Sequence, residues 1–213
     1  MTLYDLFFRC VTRPYIRTPY FADYAFDLTD GHLTVFFQDS DGVEDWLNNL
    51  DFPVAPCERE GKTVFYAHGG FLRLWTSLIP RIDPLLTNGQ VNTVTVVGYS
   101  HGAALGLLCH EYAWYRRPDL RATLTGYGFG CPRVIWGKVT DDVALRWRGF
   151  TVIRNREDIV THLPPRFLGY THVGSLLEIG ERGKYTPIDA HRPESIAREL
   201  LLHGESGGYS VEK

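Results

Sequence analysis

The chain has 213 residues, of which 44% are hydrophobic and 22% are charged, and its formal net charge is −3. This length predicts one domain over residues 1–213, and the composition is that of an ordinary globular protein. No run of Lys or Arg indicates a nucleic-acid partner. No segment approaches the roughly 18 apolar residues that a transmembrane helix requires.

The N-terminus and the cysteines bear on the cellular compartment. The first residues, MTLYDLFFRCVTRPY, lack the basic start, the apolar run and the cleavage site of a secretory signal peptide, so we expect a cytoplasmic protein. None of the four cysteines stands in a C-x-x-C pair, and their spacing neither demands nor excludes a disulfide. Cys109 and Cys131 are expected to be free thiols in the core.

Strand-like and helix-like segments alternate along the chain, which indicates an α/β layer architecture. The first two predicted strands, 23–27 and 32–37, flank the hairpin signal Asp30-Gly31. The later predicted elements, in chain order, are strand 63–67, helix 71–86, strand 93–97, helix 103–115, strand 122–129, helix 137–147, strands 150–154 and 173–179, and helix 193–203. Pro80 and Pro84 make the second half of helix 71–86 doubtful.

Residues 93–97 (TVTVV) form the strongest predicted strand, which we place at the centre of the sheet, covered on both faces. Gly98-Tyr99-Ser100-His101-Gly102 follows and matches the G-x-S-x-G pattern of a nucleophile elbow between a strand and a helix. Such a turn holds the serine in a strained conformation, and Gly98 and Gly102 come too close to neighbouring backbone for side chains. The helix N-terminus favours negative charge, so the backbone N–H of His101 is a predicted oxyanion-hole donor.

Two other interpretations of this turn are a chance match and a phosphate-binding loop. The strand before it and the Ala- and Leu-rich helix after it disfavour a chance match. The chain lacks G-K-[ST] after the turn and contains no G-x-G-x-x-G, which disfavours a phosphate site.

A nucleophile elbow requires an acid, which follows the nucleophile along the chain. Glu157 and Asp158 both follow the predicted strand 150–154. Asp158 precedes an apolar pair, which favours a partly buried carboxylate, whereas we expect Glu157 to point to solvent. The alternative for Asp158 is a turn-forming residue, which is a common use of Asp.

The base follows the acid, and four histidines come after Asp158. His191 lies in a loop before the last helix, from which its ring could reach over the strand ends to Ser100, and geometry favours it over His172. His162 lies in a loop flanked by prolines, and His203 is expected to be exposed on the last helix.

Several blocks resemble, in the same order, motifs of the class 3 lipase family, which includes fungal triacylglycerol lipases. They are FFQDSDGVEDWLNNLDF (36–52), AHGGF (67–71), GYSHGAALG (98–106), YGFGCPRV (127–134), NREDIVTHLPP (155–165) and GYTHVG (169–174). The resemblance covers residues 36–193 and implies an α/β-hydrolase fold, with a mostly parallel central sheet flanked by helices.

The same resemblance implies a set of site residues. The catalytic triad would be Ser100, Asp158 and His191, while the family's G-x-x-H-x-G histidine, here His172, is not the base. Ser40 would supply the first oxyanion donor, with the N–H of His101 as the second.

Three positions depart from the family pattern. Asp39 replaces a Gly before Ser40, and a negative charge there would oppose the charge that develops in the transition state. Ala103 replaces the second Gly of the elbow. His101 replaces an apolar residue and either titrates near neutral pH or packs against its neighbours.

The implied chemistry is hydrolysis of a carboxylic ester through an acyl-enzyme on Ser100, with no metal or organic cofactor. The partner is then a small-molecule ester or a lipid, and the oligomeric state stays open. Two alternatives are an acyltransferase with the same triad and a non-catalytic acyl-binding relative with an impaired oxyanion hole.

Residues 40–54 have two interpretations. They form either a short lid with an apolar face for transient contact with a lipid interface, as in the family, or a segment whose apolar side chains pack on the domain. This part of the chain is acidic, which disfavours anionic lipid surfaces, so both an esterase and a lipase are consistent with it. The acidic residues from position 39 onwards are Asp39, Asp41, Glu44, Asp45 and Asp51.

Overall fold

The computed structural model describes residues 1–19, 22–38 and 52–205. Within these ranges the strands are β1 (Asp23–Thr29), β2 (His32–Gln38), β3 (Val54–Arg59), β4 (Lys62–His68), β5 (Thr93–Tyr99), β6 (Thr125–Phe129), β7 (Ile135–Trp136), β8 (Phe150–Asn155), β9 (Tyr170–Thr171) and β10 (Ser175–Ile179). The helices are α1 (Leu3–Thr12), α2 (Gly69–Leu86), α3 (His101–Arg116), α4 (Asp141–Ala144) and α5 (Pro193–Glu205).

The central sheet has the strand order β1-β2-β5-β6-β8-β10. β1 is antiparallel to β2, and the other neighbours are parallel, which confirms the predicted α/β class with a mostly parallel sheet. The parallel strands end at one edge, where Tyr99 lies opposite Phe129, and Phe129 lies opposite Ile153. The segments that follow β5, β6 and β8 therefore meet at this edge, where open α/β sheets bind their ligands.

Helices cover both faces of the central sheet. On one face α2 and α3 enclose the larger apolar cluster, and α3 is buried from Gly102 to Ala113. On the other face α1 and α5 pack over β5, β6, β8 and β10, with Phe7 and Ile196 in the second cluster. The predicted helix 103–115 and helix 193–203 are both present.

The predicted first hairpin is confirmed. Thr29 pairs with His32, and the turn residues Asp30 and Gly31 have φ angles of 50° and 77°. Two positive φ angles in a two-residue loop match the twist of the flanking strands, which is why Asp-Gly occurs in such turns.

A second, four-stranded sheet has the order β3-β4-β7-β9. β4 was predicted, but β3 was not, because Pro56 interrupts its pattern. β3 pairs only with β4 among the described strands, and a proline is tolerated on an edge strand because no neighbour needs its missing N–H.

The doubt about the second half of α2 is wrong, since the helix continues through Pro80 and Pro84 to Leu86. Both prolines are exposed, so they lie on the side of the helix that faces away from the core. The opposite side of the helix is buried through Phe71, Trp75, Leu78, Ile82 and Leu86. Burial of such side chains contributes about 1.5–3 kcal/mol each, which offsets about 3 kcal/mol for each proline.

Several predicted boundaries also differ from the structure, and the strand expected over 122–129 begins only at Thr125. The helix expected over 137–147 is only α4 followed by a 3-10 turn, Leu145–Trp147, because Gly137 has a φ of 85° and residues 137–140 are not helical. The strand expected over 173–179 begins at Ser175, after the positive-φ residue Gly174.

Other expectations concern the cysteines and the predicted lid. All four cysteines are free and buried, as expected for Cys109 and Cys131.

Residues 40–51 of the predicted lid lie outside the described residues, and the single-domain organisation over 1–213 stays a prediction. None of the helices over the described ranges is long and apolar enough to cross a membrane.

Candidate active site

Ser100 forms the turn between β5 and α3. Its φ of 56° and ψ of −127° are unusual for a residue with a side chain. The turn is held by the backbone N–H of Ser100, which donates to the Phe129 carbonyl (2.9 Å), and by the Ser100 carbonyl, which accepts from Ala103 N–H (2.9 Å). The side chain therefore projects from the carboxyl edge of the sheet, at the start of a helix.

Gly98 and Gly102 permit this turn because backbone atoms lie where their side chains would stand. A Cβ at Gly98 would lie 2.6 Å from the Cα of Ala103, and a Cβ at Gly102 would lie 2.7 Å from the Cα of Gln38. Backbone cannot yield as a flexible side chain can, so both positions require glycine. The second contact also places the end of β2 directly beside the elbow.

His191 lies beside Ser100, although 91 residues separate them. It ends a 3-10 turn, Asp189–His191, and its Nε2 is 2.8 Å from Ser100 Oγ. Its Nδ1 is 2.8 Å from each carboxylate oxygen of Asp158. An ionised carboxylate can only accept, so Nδ1 carries the proton, and Nε2 is left to accept one from the serine hydroxyl.

The three side chains are buried, with residue exposures of 5% for Ser100, 3% for His191 and 0% for Asp158. Asp158 stands at the start of a 3-10 turn, and its Oδ1 also accepts from Val160 N–H (2.9 Å). Glu157 instead accepts from Gly183 N–H (2.9 Å) and makes no hydrogen bond to the imidazole in the described part of the chain. The arrangement can move a proton from a serine hydroxyl to a histidine that a carboxylate orients.

The other histidines after Asp158 do not reach Ser100 through any described contact. His172 lies between β9 and β10, rather than at the start of a strand, and its Nε2–H donates to the Thr161 carbonyl (2.8 Å). Burial lowers the pKa of His172 to about 4. Since the Thr161 hydroxyl donates to the Asp158 carbonyl (2.8 Å), His172 supports the turn that begins at Asp158. His162 is exposed, while His203 on α5 is half-buried rather than exposed as expected.

Two residues without a predicted role position His191, one beside its ring and the other on the turn that carries it. Gly130, at the end of the YGFG segment, has a φ of 59°, and a Cβ there would lie 2.7 Å from His191 Cε1. The Asn155 side-chain N–H donates to the carbonyl of Ala190 (2.9 Å), directly before His191. Both residues stand in the motif blocks of the sequence, but the blocks alone do not show what these residues contact.

The described part of the predicted oxyanion hole is the start of α3. His101 is the first residue of this helix, where backbone N–H groups lack intrahelical carbonyl partners. Its own ring meets the edge of Phe71, with centroids 5.2 Å apart. Ser40 and Asp39, the other residues predicted to affect an oxyanion, lie outside the described residues. Over the described ranges, no three His, Cys, Asp or Glu residues are grouped so that they could hold a metal ion.

Known proteins with similar sequences are lipases. Residues 34–168 match the family model described as lipase (class 3). A lipase of Rhizomucor miehei is 29% identical over 153 residues, which are 68% of this chain and 41% of that protein. A secreted mono- and diacylglycerol lipase of Malassezia globosa is 29% identical over 152 residues, which are 66% of this chain and 48% of that protein. The chain thus spans less than half of the length of either relative.

The solved structure of the triacylglyceride lipase of Rhizomucor miehei is similar to this fold. The two share 25% sequence identity and a TM-score of 0.62, over 78% of this chain and 66% of that one. This similarity confirms the predicted α/β-hydrolase fold.

The expected cytoplasmic location is wrong, because the similar Malassezia globosa enzyme is secreted. The expectation depended on the first residues of the chain, and these form α1, which buries Leu6 and Phe7 in the core. A leader is removed from the mature protein and is not part of its core. The residues of a core helix therefore carry no information about the compartment.

Proposed function

Because the chain belongs to the class 3 lipase family, we propose that it is a serine hydrolase that cleaves carboxylic esters of lipids. The observation that carries this proposal is the continuous contact from Ser100 Oγ through His191 to Asp158, at 2.8 Å for each step, in a buried site. In the proposed triad these residues act as nucleophile, base and acid.

Acylation begins when Ser100 Oγ attacks the carbonyl carbon of the ester while His191 Nε2 takes the hydroxyl proton. The carbonyl oxygen becomes an oxyanion, which the N–H of His101 stabilises, with Ser40 N–H as the proposed second donor. The intermediate then collapses, the bond to the alcohol oxygen breaks, and the imidazolium of His191 gives its proton to the departing alcohol. The product is an acyl-enzyme on Ser100.

Deacylation uses the same groups. His191 takes a proton from water, whose oxygen attacks the acyl carbon, and a second oxyanion forms. The bond to Ser100 Oγ then breaks, Oγ recovers the proton from the imidazolium, and the carboxylic acid leaves. Asp158 stabilises the imidazolium in both steps, and this stabilisation is large because the carboxylate is fully buried.

The names of the relatives support an acylglycerol as the substrate. One relative is a triacylglyceride lipase and the other is a mono- and diacylglycerol lipase. Such substrates collect at lipid–water interfaces, so an enzyme that cleaves them gains from an apolar contact surface.

An exposed apolar patch offers such a surface, and we call it the Phe167 patch. It consists of Phe167, Leu168, Trp136 and Tyr66, with exposures of 87%, 45%, 37% and 44%. The Trp136 indole N–H donates to the Leu168 carbonyl (2.9 Å), and Tyr66 meets Trp136 edge to face at 5.9 Å, so the patch is continuous. The exposed cation Arg166 adjoins it. We propose transient contact of this patch with the substrate interface.

Hydrolysis of p-nitrophenyl esters of short, medium and long acyl chains tests the proposal. We expect Ser100→Ala to lower kcat by about 10⁴-fold or more, because the covalent step is lost. Ser77→Ala is the matched control: Ser77 is half-buried on α2 and its hydroxyl bonds only to the Leu74 carbonyl in the described structure (2.7 Å). This control should retain wild-type turnover.

The proposal fails if the wild type turns over no faster than Ser100→Ala on every ester. A fluorophosphonate that labels Ser100 without any turnover would indicate a non-catalytic acyl-binding protein. Ester products that form when alcohols are added would indicate an acyltransferase.

A further inference from the structure

We infer that Tyr99 is a positioning residue for His191, an inference that rests on the proposed function. Tyr99 is the variable residue before the serine of G-x-S-x-G. Two separate contacts join it to the base. Its hydroxyl donates to the backbone carbonyl of His191 (2.8 Å), and its ring stacks on the imidazole with centroids 5.3 Å apart and an interplanar angle of 20°.

The hydroxyl contact fixes the backbone of the turn that carries the base. Asn155 donates to the carbonyl of Ala190 (2.9 Å) and Tyr99 donates to the next carbonyl, that of His191. Two consecutive carbonyl groups of one short turn are therefore held by side chains from the ends of β8 and β5. Since Ser100 directly follows Tyr99, this contact ties the nucleophile and the base to the same point of the sheet.

The Tyr99 hydroxyl remains a donor over the working pH range. Burial raises the pKa of Tyr99, and the nearby Asp158 carboxylate raises it further.

The ring contact stabilises the positive charge that His191 carries during acylation. During acylation His191 holds the serine proton and becomes a cation, and the face of an aromatic ring attracts a cation. The Tyr99 ring is itself fixed, because Phe7 of α1 meets it edge to face at 5.6 Å and Phe7 also contacts Phe129 at 4.9 Å. Tyr99 is only 7% exposed, so water does not weaken the stack.

Two variants separate these contacts. Tyr99→Phe removes the hydroxyl and keeps the ring, and we expect kcat to fall about 5- to 10-fold with KM unchanged. Tyr99→Leu removes both. We expect a larger fall in kcat, again with KM unchanged, because the imidazolium also loses the aromatic face.

The matched control is Tyr112→Phe. Tyr112 is a buried tyrosine of α3 whose hydroxyl donates to Asp83 (2.8 Å), so its loss costs stability without contact to the base. Tyr112→Phe should keep the kcat and KM of the wild type. The inference is overturned if Tyr99→Phe has the kcat of the wild type, or if Tyr112→Phe reproduces the changes seen at Tyr99. Melting temperatures identify a variant that does not fold, and Tyr99→Phe then carries the test.

A readout without turnover separates this inference from the proposed function. The proton between His191 Nδ1 and Asp158 gives a low-field proton resonance when the pair is held rigidly. We expect the resonance in the wild type and in Tyr112→Phe, and its broadening in Tyr99→Leu. If no ester is hydrolysed but the resonance follows this pattern, the proposed function fails and the positioning role stands. If the resonance is the same in all three proteins, the positioning role fails.

Discussion

At the scale of single residues, the site depends on which nitrogen of His191 holds the proton. Asp158 contacts Nδ1 with both carboxylate oxygens and is itself fully buried. The carboxylate therefore selects the tautomer in which Nε2 faces Ser100. Its neighbour Glu157 has the same charge but bonds to Gly183, so charge alone does not distinguish the two carboxylates.

Asp158→Asn should abolish most of the proposed activity while the fold persists. The amide can donate to Nδ1, which places the imidazole proton on Nε2, where it no longer accepts from the serine. We expect kcat on p-nitrophenyl esters to fall by about 10⁴-fold. Glu157→Gln is the control and should stay within about twofold of the wild type. The opposite order of the two variants would assign the acid to Glu157.

Gly130→Ala should also inactivate the protein, by displacing the base. The new Cβ would lie 2.7 Å from His191 Cε1, and the residue has a φ of 59°. Gly183→Ala is the control, because Gly183 has a φ of 73° and no atom within 4 Å of its added Cβ. Both variants should lose about 1 kcal/mol of stability from the positive φ, but only Gly130→Ala should lose kcat, by about 100-fold. Equal kcat in the two variants would show that the contact with His191 is unimportant.

At the scale of elements, local sequence patterns predicted those parts of the fold whose conformation depends on residues adjacent in the sequence. The Asp30-Gly31 turn and the passage from β5 through Ser100 to α3 are of this kind, and so is the class of the central sheet. The course of α2 through its prolines was not predictable locally, because it depends on a buried face supplied by α3 and the central sheet. The contact between Tyr99 and His191 joins residues 92 positions apart and has no local signal.

Pro80→Ala should stabilise the protein, because a proline in the middle of a helix weakens that helix. Pro80 is exposed in the middle of the helix, and alanine would restore an N–H for the carbonyl one turn earlier. We expect a gain of about 1–3 kcal/mol in the free energy of urea unfolding, with kcat unchanged. Pro118→Ala is the control: Pro118 begins a 3-10 turn, where proline is favourable, and its loss should not stabilise. A gain in both variants, or in neither, would contradict this account of α2.

At the scale of the whole molecule, the proposed site and the Phe167 patch are connected through one segment. The 3-10 turn that Asp158 begins is followed, a few residues later, by the 3-10 turn Arg166–Leu168, which carries Phe167. Between the two turns the carbonyl of Leu163 accepts from Arg133 N–H (2.7 Å), which ties the segment to the strand ends after β6. The surface that we propose to contact lipid at Phe167 is therefore anchored in the same chain segment as Asp158, the proposed acid.

Phe167→Ser should lower activity on an emulsified long-chain ester and leave activity on a soluble short-chain ester unchanged. The side chain is 87% exposed, so the protein loses little stability, whereas an interface loses an apolar contact. We expect about tenfold weaker binding to vesicles and a similar loss of rate on the emulsion. Phe8→Ser is the matched control, because Phe8 is 50% exposed on α1, which packs with α5 on the face of the sheet opposite α2 and α3. If Phe8→Ser lowers the emulsion rate as much as Phe167→Ser, the contact surface is not the Phe167 patch; if neither does, the described surface does not bind the interface through these aromatic side chains.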